Sequence, residues 1–315
     1  MAKKSGRASG GIGKARATGR ALALQTLEHR AIQRRRRRAV KPARGLALTA
    51  ARPAIPAETV RALAVPPATG LLVAEGDSWF DYPLHDVLTM LEDEHGFDVE
   101  SVAHKGDTVE DMAYSGGQFD DFARLLEKVL RQGRVPDAIL LSGGGNDIAG
   151  NEFAMLLNHA ASGLPPINDD VVRGVIDVRT RNAYASLISG LKEIAMQLLK
   201  RPIPVVVHGY DYPVPDGRGF LGGFGFLPGP WLQPGFQRKG FGDVNANTAV
   251  VGKLIDRFNA MLRQLSRSDG FEHVRYVDLR DTLSHAAGYK RDWANELHPT
   301  KSGFAAVADK IAKAI

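Results

Sequence analysis

Ser78 stands directly after a short apolar stretch, within the sequence VAEGDSWFDYP at residues 73–83. Gly76 permits a sharp turn at this point, because glycine adopts backbone angles that other residues avoid. A serine hydroxyl becomes a nucleophile when a neighbouring base takes its proton. His298 is the best candidate for that base, since Pro299 biases it toward an extended backbone that can present its ring inward. The chain therefore contains the two groups that serine-based nucleophilic catalysis requires.

Donors for a developing negative charge are also present. When a serine attacks a carbonyl group, the carbonyl oxygen becomes an anion that preorganised donors must stabilise. The backbone N–H groups of Ser78 and Gly106 and the side-chain amide of Asn146 can supply three donors. Each motif is weak alone, because Gly-Asp-Ser is often a simple turn and the GGGND sequence at 143–147 lacks the Lys-Ser/Thr ending of a phosphate-binding loop. Their joint order along the chain favours a catalytic site.

Two further groups of polar residues have ordinary interpretations. Asp81 and His85 are four residues apart and could share one helix face as metal ligands, but the sequence offers no evident third ligand. His208 and Asp211 follow an apolar stretch and could help to shape a site, although a structural histidine is the favoured interpretation. We therefore expect neither a metal nor a cofactor.

The elements that must position these residues can be read from the apolar pattern. Alternating apolar stretches and amphipathic stretches predict strands separated by helices. The strands are predicted at Leu71–Glu75, Phe97–Ala103, Ala138–Leu141, Val205–His208 and Val274–Leu279. Thr300 is a suitable N-cap for a last helix that runs to Ile315. Five strands joined by helices indicate a parallel sheet with helices on both faces.

The loops that follow the strands hold all the candidate residues. In parallel sheets, ligands bind beyond the carboxyl ends of the strands. The loops contain, in chain order, GDSWFDYP, HKGDT, SGGGNDI and HGYDYPVP, and the segment after the last strand ends in DWANELHPT. Ser78, Gly106, Asn146 and His298 all lie in these loops. The pattern therefore places the nucleophile, the base and the donors at one edge of the sheet.

Four short motifs in this order resemble the sequence blocks of the SGNH, or GDSL, hydrolase superfamily. They are GDSW at 76–79, the glycine of KGDT at 106, GGND at 144–147 and NELHP at 295–299. The resemblance covers about residues 70–315. It implies a flavodoxin-like, three-layer α/β/α fold and ester hydrolysis through an acyl-serine intermediate. It also implies that Ser78 is the nucleophile and first oxyanion donor, that Gly106 and Asn146 are the other donors, and that His298 is the base.

One position departs from the family's usual pattern. The family's last block is usually Asp-x-x-His, and here Asn295 stands three residues before His298. An asparagine can orient the imidazole but cannot supply a negative charge, and this exchange costs roughly 10⁴-fold in the turnover of a serine protease. Three outcomes are open: Asp292 or Glu296 substitutes for the aspartate, a serine–histidine dyad works with a polar acceptor such as Asn295 or with a backbone acceptor, or the enzyme is slow or inactive.

A long aromatic segment separates the fourth strand from the next helix. Residues 217–241 interleave eight glycines with six aromatic residues, Phe220, Phe224, Phe226, Trp231, Phe236 and Phe241. Glycine gives mobility and aromatic rings give apolar contact area, so a lid or substrate wall is our interpretation. The alternative is a long loop that packs its aromatic residues back on the body.

Charge divides the chain into two parts. Residues 1–68 contain 16 Lys and Arg against two Asp and Glu, whereas residues 69–315 contain 25 against 33. Because the first part has few large apolar residues to repay the entropy of folding, we predict a basic and largely disordered N-terminal tail, with a transient helix near Ala21–Arg38. The folded hydrolase-type domain is predicted over 69–315. Nucleic acid or anionic lipid could contact the tail through an unbroken arginine run, Arg34, Arg35, Arg36, Arg37 and Arg38.

Three features of the sequence bear on the compartment. The chain has no cysteine, which excludes disulfides, and it has no apolar run of about 18 residues, so we expect no transmembrane segment. The residues after the arginine run include Lys41, Pro42 and Arg44, which interrupt the apolar stretch that an export signal needs. A cytoplasmic location is favoured over export.

Two functions are consistent with this sequence. The first is a serine ester hydrolase that acts on a small acyl ester, a lipid or an O-acetylated carbohydrate, with activity rising as His298 loses its proton near about pH 6.5 or somewhat above. The second is a catalytically weak or inactive body whose basic tail binds nucleic acid or anionic membrane. Asn295 and the charge of the tail favour the second function, whereas the four motifs favour the first.

Overall fold

A five-stranded, entirely parallel sheet forms the centre of the molecule in a computed structural model, which describes residues 3–40, 68–114, 117–150, 152–222 and 228–315. The strands are β1 (Leu71–Gly76), β2 (Asp98–Ser101), β3 (Ala138–Ser142), β4 (Val205–His208) and β5 (Val274–Val277). Their order across the sheet is β2-β1-β3-β4-β5, which is the flavodoxin-like order. The predicted fold class is confirmed.

Helices cover both faces of this sheet. They are α1 (Lys3–Val40), α2 (Val87–Asp93), α3 (Val109–Tyr114), α4 (Gln118–Arg131), α5 (Gly145–Ile148), α6 (Asp169–Val172), a π-helix (Arg173–Thr180), α7 (Arg181–Leu199), α8 (Gln233–Arg238), α9 (Val244–Ser266) and α10 (Lys301–Ala312). Helix α2 packs against α10, and α3, α4 and α9 each pack against α7. Strands β1, β3 and β4 are buried along their whole length, as strands covered on both faces are.

Local signals fix where several helices begin. The Thr300 hydroxyl accepts a hydrogen bond from the Gly303 N–H at 3.2 Å, so the predicted N-cap is confirmed. Asp243 caps α9 in the same way, accepting from the Ala246 N–H at 2.7 Å. Because each cap satisfies a backbone N–H that lacks a partner inside the helix, these side chains set where each connecting loop ends.

The N-terminal segment differs from the sequence-based expectation. Residues 3–40 form one continuous helix, α1, which packs along α7, instead of a largely disordered tail. Small residues allow this contact: a Cβ atom on Gly19 would lie 1.9 Å from the backbone oxygen of Ser186, and one on Gly190 would lie 3.0 Å from the Gly19 oxygen. Glycines with little apolar surface therefore let two helices approach closely, a source of packing that composition alone does not reveal.

Charge also holds α1 to the body. The carboxylate of Glu127, on α4, is almost completely buried and accepts hydrogen bonds from Arg30 and Arg34 of α1 as well as from Arg131 at 2.8 Å. These contacts lower the pKa of Glu127 even though burial acts in the opposite direction. Two arginines of the basic segment thus pair with a specific carboxylate. Residues 41–67 lie outside the described residues, so the predicted division of the chain at residue 68 stays a prediction.

A helix that crosses a membrane must be both long enough and apolar enough for the hydrocarbon core. No helix in the described part of the chain meets both conditions.

Candidate active site

The turn after β1 is built for close packing. A Cβ atom on Gly76 would lie 2.8 Å from the Ser142 Cβ and 2.9 Å from its carbonyl oxygen, so only glycine fits between β1 and β3 at this point. The turn itself is closed by hydrogen bonds from the Phe80 and Asp81 N–H groups to the Asp77 carbonyl oxygen, at 3.0 and 3.1 Å. Ser78 therefore lies on a tight turn at the carboxyl edge of the sheet, where the sequence predicts it.

A buried carboxylate fixes the conformation of this turn. Asp77 accepts hydrogen bonds from the Trp79 N–H at 3.0 Å, from the Ser142 hydroxyl at 2.9 Å and from the Tyr210 hydroxyl. Three donors from three different strand ends compensate the loss of water around the buried charge. Asp77 thus ties the serine turn to the ends of β3 and β4.

Ser78 and His298 are in direct contact. The Ser78 Oγ lies 2.7 Å from the His298 Nε2, although 220 residues separate them along the chain. The other ring nitrogen, Nδ1, lies 3.0 Å from the Asn295 Oδ1. The structure therefore brings together the three residues that the sequence singled out as nucleophile, base and orienting partner.

The amide of Asn295 determines which ring nitrogen carries the proton. Its Oδ1 atom accepts from the backbone N–H groups of Leu297 and His298 at 3.0 and 2.9 Å, so this atom must be the oxygen and not the nitrogen of the amide. A ring nitrogen 3.0 Å from an acceptor is the protonated one, which leaves Nε2 with the lone pair that Ser78 needs. The neutral amide thus selects the tautomer that a base requires.

Aromatic rings enclose the imidazole. The Tyr82 ring stacks on His298 with a centroid distance of 4.2 Å and an interplanar angle of 21°, and Trp231 approaches the ring at 5.2 Å and 72°. His298 is 5% exposed, and this burial lowers its pKa from 6.5 to about 3. The sequence-based expectation of a pKa near or above 6.5 does not hold in this environment, because the ring meets aromatic surface and an amide instead of a carboxylate.

The two acids near Asn295 do not contact the ring in the structure. Asp292 accepts a hydrogen bond from the Ser284 N–H at 2.8 Å. Glu296 is fully buried and accepts from four backbone N–H groups of the aromatic segment, those of Gly217, Trp231, Leu232 and Gln233, at 2.7 to 3.1 Å. Of the three candidates, Asn295 is the one whose side chain meets the imidazole.

The loops that carry Gly106 and Asn146 lie beside the serine turn. The His104 N–H donates to the Gly76 oxygen at 2.9 Å, which joins the 104–107 loop to the end of β1. Gly106 has a φ of +94°, a left-handed conformation that favours glycine, and it is exposed. One Asn146 N–H donates to the Asp107 oxygen at 2.9 Å, and a side-chain amide has a second N–H to offer.

An apolar cavity opens beside Ser78 and Asn146. Its volume is about 60 Å³. Apolar residues from α9 and from the loops around the site form most of its wall, including Phe153, Leu232, Val251, Leu254, Ile255 and Phe258. A group bound to Ser78 would therefore meet a small and mainly apolar space.

The aromatic segment divides into a buried part and a part at the site. Phe236 is fully buried against Phe153, as the alternative interpretation predicts for this residue. Trp231 contacts His298, and Phe220 contacts Tyr82 at 5.8 Å, which places these two rings beside the site. Phe224 and Phe226 lie outside the described residues.

The remaining candidates have structural partners. The carboxylate of Asp81 accepts from the Lys105 N–H at 3.0 Å. His208 is buried with its Nδ1 2.9 Å from the Gly209 oxygen, and burial lowers its pKa. Asp211 accepts from the backbone N–H groups of residues 281–283. Within the described ranges, no group of three or more His, Asp or Glu side chains could hold a metal ion.

Sequence reasoning did not identify the residues that support the site. Asp77 and Tyr82 both lie in the GDSWFDYP sequence that flanks Ser78, so their proximity to the site was available. Their hydrogen bonds and ring contacts depend on strand ends and on a loop more than 200 residues away, which no local pattern encodes. Glu296 was considered, but as a partner of the imidazole.

The sequence model of the GDSL-like lipase/acylhydrolase family matches residues 72–306. No curated protein matches the chain. A catalytic mutant of Axe2, an acetylxylan esterase from Geobacillus stearothermophilus, is similar in structure with 14% identity and a TM-score of 0.39 over 78% of this chain and 94% of that chain. LAE5, an alpha/beta hydrolase enzyme from the metagenome of Lake Arreo, is similar with 16% identity and a TM-score of 0.39, over 78% and 95%.

Proposed function

The chain belongs to the GDSL-like lipase/acylhydrolase family, and we propose that it cleaves esters of short acyl groups through a covalent intermediate on Ser78. The family makes the protein a carboxylic ester hydrolase of the esterase/lipase type. One observation carries the serine mechanism: the Ser78 Oγ lies 2.7 Å from a His298 Nε2 whose tautomer is set by Asn295. Activation of a serine requires a base in contact with the hydroxyl and a group that orients the base, and these contacts provide both.

The steps follow from these contacts. The Ser78 proton passes to His298 Nε2 while Oγ bonds to the ester carbon, and the carbonyl oxygen becomes an anion. The N–H groups of Ser78 and Gly106 and the amide of Asn146 stabilise that anion. The bond to the alcohol oxygen then breaks as Nε2 returns the proton to it. Water, deprotonated by His298, attacks the acyl-serine and releases the carboxylic acid and free Ser78.

The size of the cavity supports a short acyl group. Its volume is about 60 Å³ and apolar side chains form most of its wall. A small apolar space beside the nucleophile favours an acetyl group over a long acyl chain. The alcohol portion, from a lipid or an O-acetylated carbohydrate, would extend away from this cavity toward the aromatic segment.

Ester hydrolysis by the purified full-length protein tests both parts of this proposal. We expect release of a chromogenic alcohol from acetyl esters, with kcat/KM falling at least tenfold from acetyl to octanoyl. Ser78→Ala should abolish the reaction, whereas Ser302→Ala, an exposed serine on α10, should leave it unchanged. Full activity of Ser78→Ala would refute the serine mechanism, and equal rates for all acyl lengths would refute the proposed chain length.

We also propose that the basic end of α1 contacts a polyanion. Arg35 and Arg36 are exposed, whereas Arg34 of the same run pairs with Glu127. Binding to a short DNA duplex should weaken steeply with salt and should fall in an Arg35→Ala, Arg36→Ala variant that retains full esterase activity. Binding that is independent of salt would contradict this contact.

A further inference from the structure

The transition state of the proposed mechanism places a positive charge on His298, and no carboxylate of the described residues contacts that ring. Asn295, which meets Nδ1, is neutral. The three carboxylates around the site are held elsewhere. Asp77 accepts from Trp79, Ser142 and Tyr210, Asp292 accepts from the Ser284 N–H, and Glu296 accepts from four backbone N–H groups. A buried imidazolium without a partner is costly.

We propose that the aromatic face of Tyr82 takes the part of the missing carboxylate and stabilises the imidazolium form of His298 in the transition state. This inference rests on the proposed serine mechanism. Tyr82 acts on the reaction only through its contact with His298, so it is a positioning residue that also stabilises charge.

The stacking geometry carries this inference. The two rings lie 4.2 Å apart between centroids and are tilted by only 21°, so the face of Tyr82 is presented to the imidazole. The face of an aromatic ring is the negative side of its quadrupole and attracts a cation, and it does so more strongly where water is excluded. The attraction is greater for the imidazolium than for the neutral ring. It therefore favours the transition state over the ground state, which is the condition for catalysis.

The phenol of Tyr82 is neutral and its position is fixed. Its hydroxyl oxygen accepts a hydrogen bond from the Asn295 Nδ2 at 3.0 Å, and desolvation raises its pKa. Phe220 and Phe304 each pack against the Tyr82 ring with centroids 5.8 Å away. The ring therefore acts through its face and not as a phenolate. The described contacts of the His298 ring are with Ser78, Asn295, Tyr82 and Trp231, and none of these side chains is a carboxylate.

Ring fluorination separates the electrostatic role of Tyr82 from its shape. Fluorine withdraws charge from the ring face and changes ring size little. Tyr82→Phe is the reference, and phenylalanines that carry one, two and three ring fluorines are then placed at position 82. We expect kcat to fall stepwise, by roughly tenfold over the series, with KM unchanged. The same fluorinated residues at Phe304, which contacts Tyr82 but not His298, should give no trend.

The outcomes distinguish this inference from the proposed function. Activity of Ser78→Ala would refute the serine mechanism itself. If Ser78→Ala is inactive but kcat does not change with fluorination at position 82, the role of Tyr82 is refuted and the mechanism stands. In an Asn295→Asp background a carboxylate supplies the missing charge, so the dependence on fluorination should shrink. If kcat depends on fluorination just as strongly in that background, the proposal that the Tyr82 ring takes the part of a carboxylate is contradicted.

Discussion

The nucleophile turn (residues 76–80) and the histidine loop (residues 292–299) use the same hydrogen-bonding arrangement, but the accepting side chain is charged in one and neutral in the other. In each, one side chain receives three donors: Asp77 in the turn, from Trp79, Ser142 and Tyr210, and Asn295 in the loop. The turn uses a carboxylate and the loop uses a neutral amide. The carboxylate of Asp77 holds groups that do not change protonation state during the reaction. The His298 imidazole, which must gain and lose a proton, is held by a neutral amide instead.

Glu296 extends this contrast within the histidine loop. It is adjacent to Asn295, yet its carboxylate faces away from the ring and binds the backbone of the aromatic segment at Gly217 and at 231–233. Burial raises the pKa of Glu296 while the four N–H donors lower it. The buried carboxylate of Glu296 thus joins the aromatic segment to the histidine loop.

Among changes in the histidine loop, removing the acceptor of the imidazole should have the largest effect on activity. Asn295→Leu keeps the size of the side chain but removes the oxygen that holds Nδ1–H. The ring is then free to adopt the tautomer that cannot accept the Ser78 proton, and we expect kcat to fall roughly a thousandfold. Steady-state kinetics with an acetyl ester measures this loss, and circular dichroism checks the fold.

Asp292, whose side chain does not contact the imidazole, provides the control for Asn295→Leu. Asp292→Asn removes a carboxylate that binds the Ser284 N–H. We expect less than a threefold change in kcat. A loss comparable to that of Asn295→Leu would show that Asp292 and not Asn295 serves the imidazole, and the comparison of the two loops would then fail.

Neutralising Glu296 should loosen the aromatic segment. Glu296→Gln places an NH₂ group against backbone N–H donors that then lack an acceptor, which costs about 2 kcal/mol of folding free energy. Since Trp231 lies on this segment and against His298, KM should rise more than kcat falls. Urea unfolding and ester kinetics measure the two effects. Glu94→Gln, at an exposed position, should change neither, and an unchanged stability for Glu296→Gln would refute the proposed role of its charge.

Restoring a charge in the histidine loop should increase activity. In Asn295→Asp the carboxylate faces Nδ1–H and the Tyr82 hydroxyl turns to donate to its second oxygen. A neighbouring negative charge raises the pKa of a histidine, and each unit is worth about 1.4 kcal/mol of stabilisation of the imidazolium. We expect kcat at pH 8 to rise roughly tenfold and the acid limb of the pH profile to move upward. A lower kcat would show that the amide is essential as such.

The sequence predicted the sheet and the edge at which the site is assembled, because strands buried on both faces carry a continuous apolar signal. The predicted ranges of β3 and β4 agree with the structure to within one residue. Ser78, His298 and Asn295 could be identified because their types and order are tied to chemistry. The tail was misjudged in residues 3–40, since Gly19 and Gly190 create a close helix contact that an apolar pattern does not record.

The environment of the imidazole could not be predicted in the same way. The contact between Tyr82 and His298 joins two loops 216 residues apart, and neither loop shows a periodic pattern. The pKa of His298 depends on that enclosure, and Glu296 looked like a triad member because sequence distance does not reveal side-chain direction. Residue type and order therefore indicated the reaction, whereas the electrostatics needed the assembled loops.

The pH dependence of the unmodified enzyme should show the smallest change in rate. Burial lowers the pKa of His298 from 6.5 to about 3, so the base stays unprotonated and kcat/KM should vary less than threefold between pH 5 and pH 8. Stability behaves differently. The unfolded chain binds this proton below about pH 6.5 and the folded chain only near pH 3, so the stability contribution is complete above 6.5 and is lost as the pH falls, by up to about 1.4 kcal/mol per unit.

Urea unfolding at pH 7 and pH 5 measures that loss, and His298→Gln isolates it, because His273 has a pKa lowered to about 4 and contributes with the same sign. In His298→Gln, the difference between the unfolding free energies at pH 7 and pH 5 should be smaller, because the proton that His298 binds on unfolding no longer contributes. A rate that falls through pH 6.5 while the fold stays intact would mean that His298 titrates as an ordinary histidine. The enclosure by Tyr82 and Trp231 would then not isolate the ring from water, and the neutral histidine loop would lose its contrast with the charged nucleophile turn.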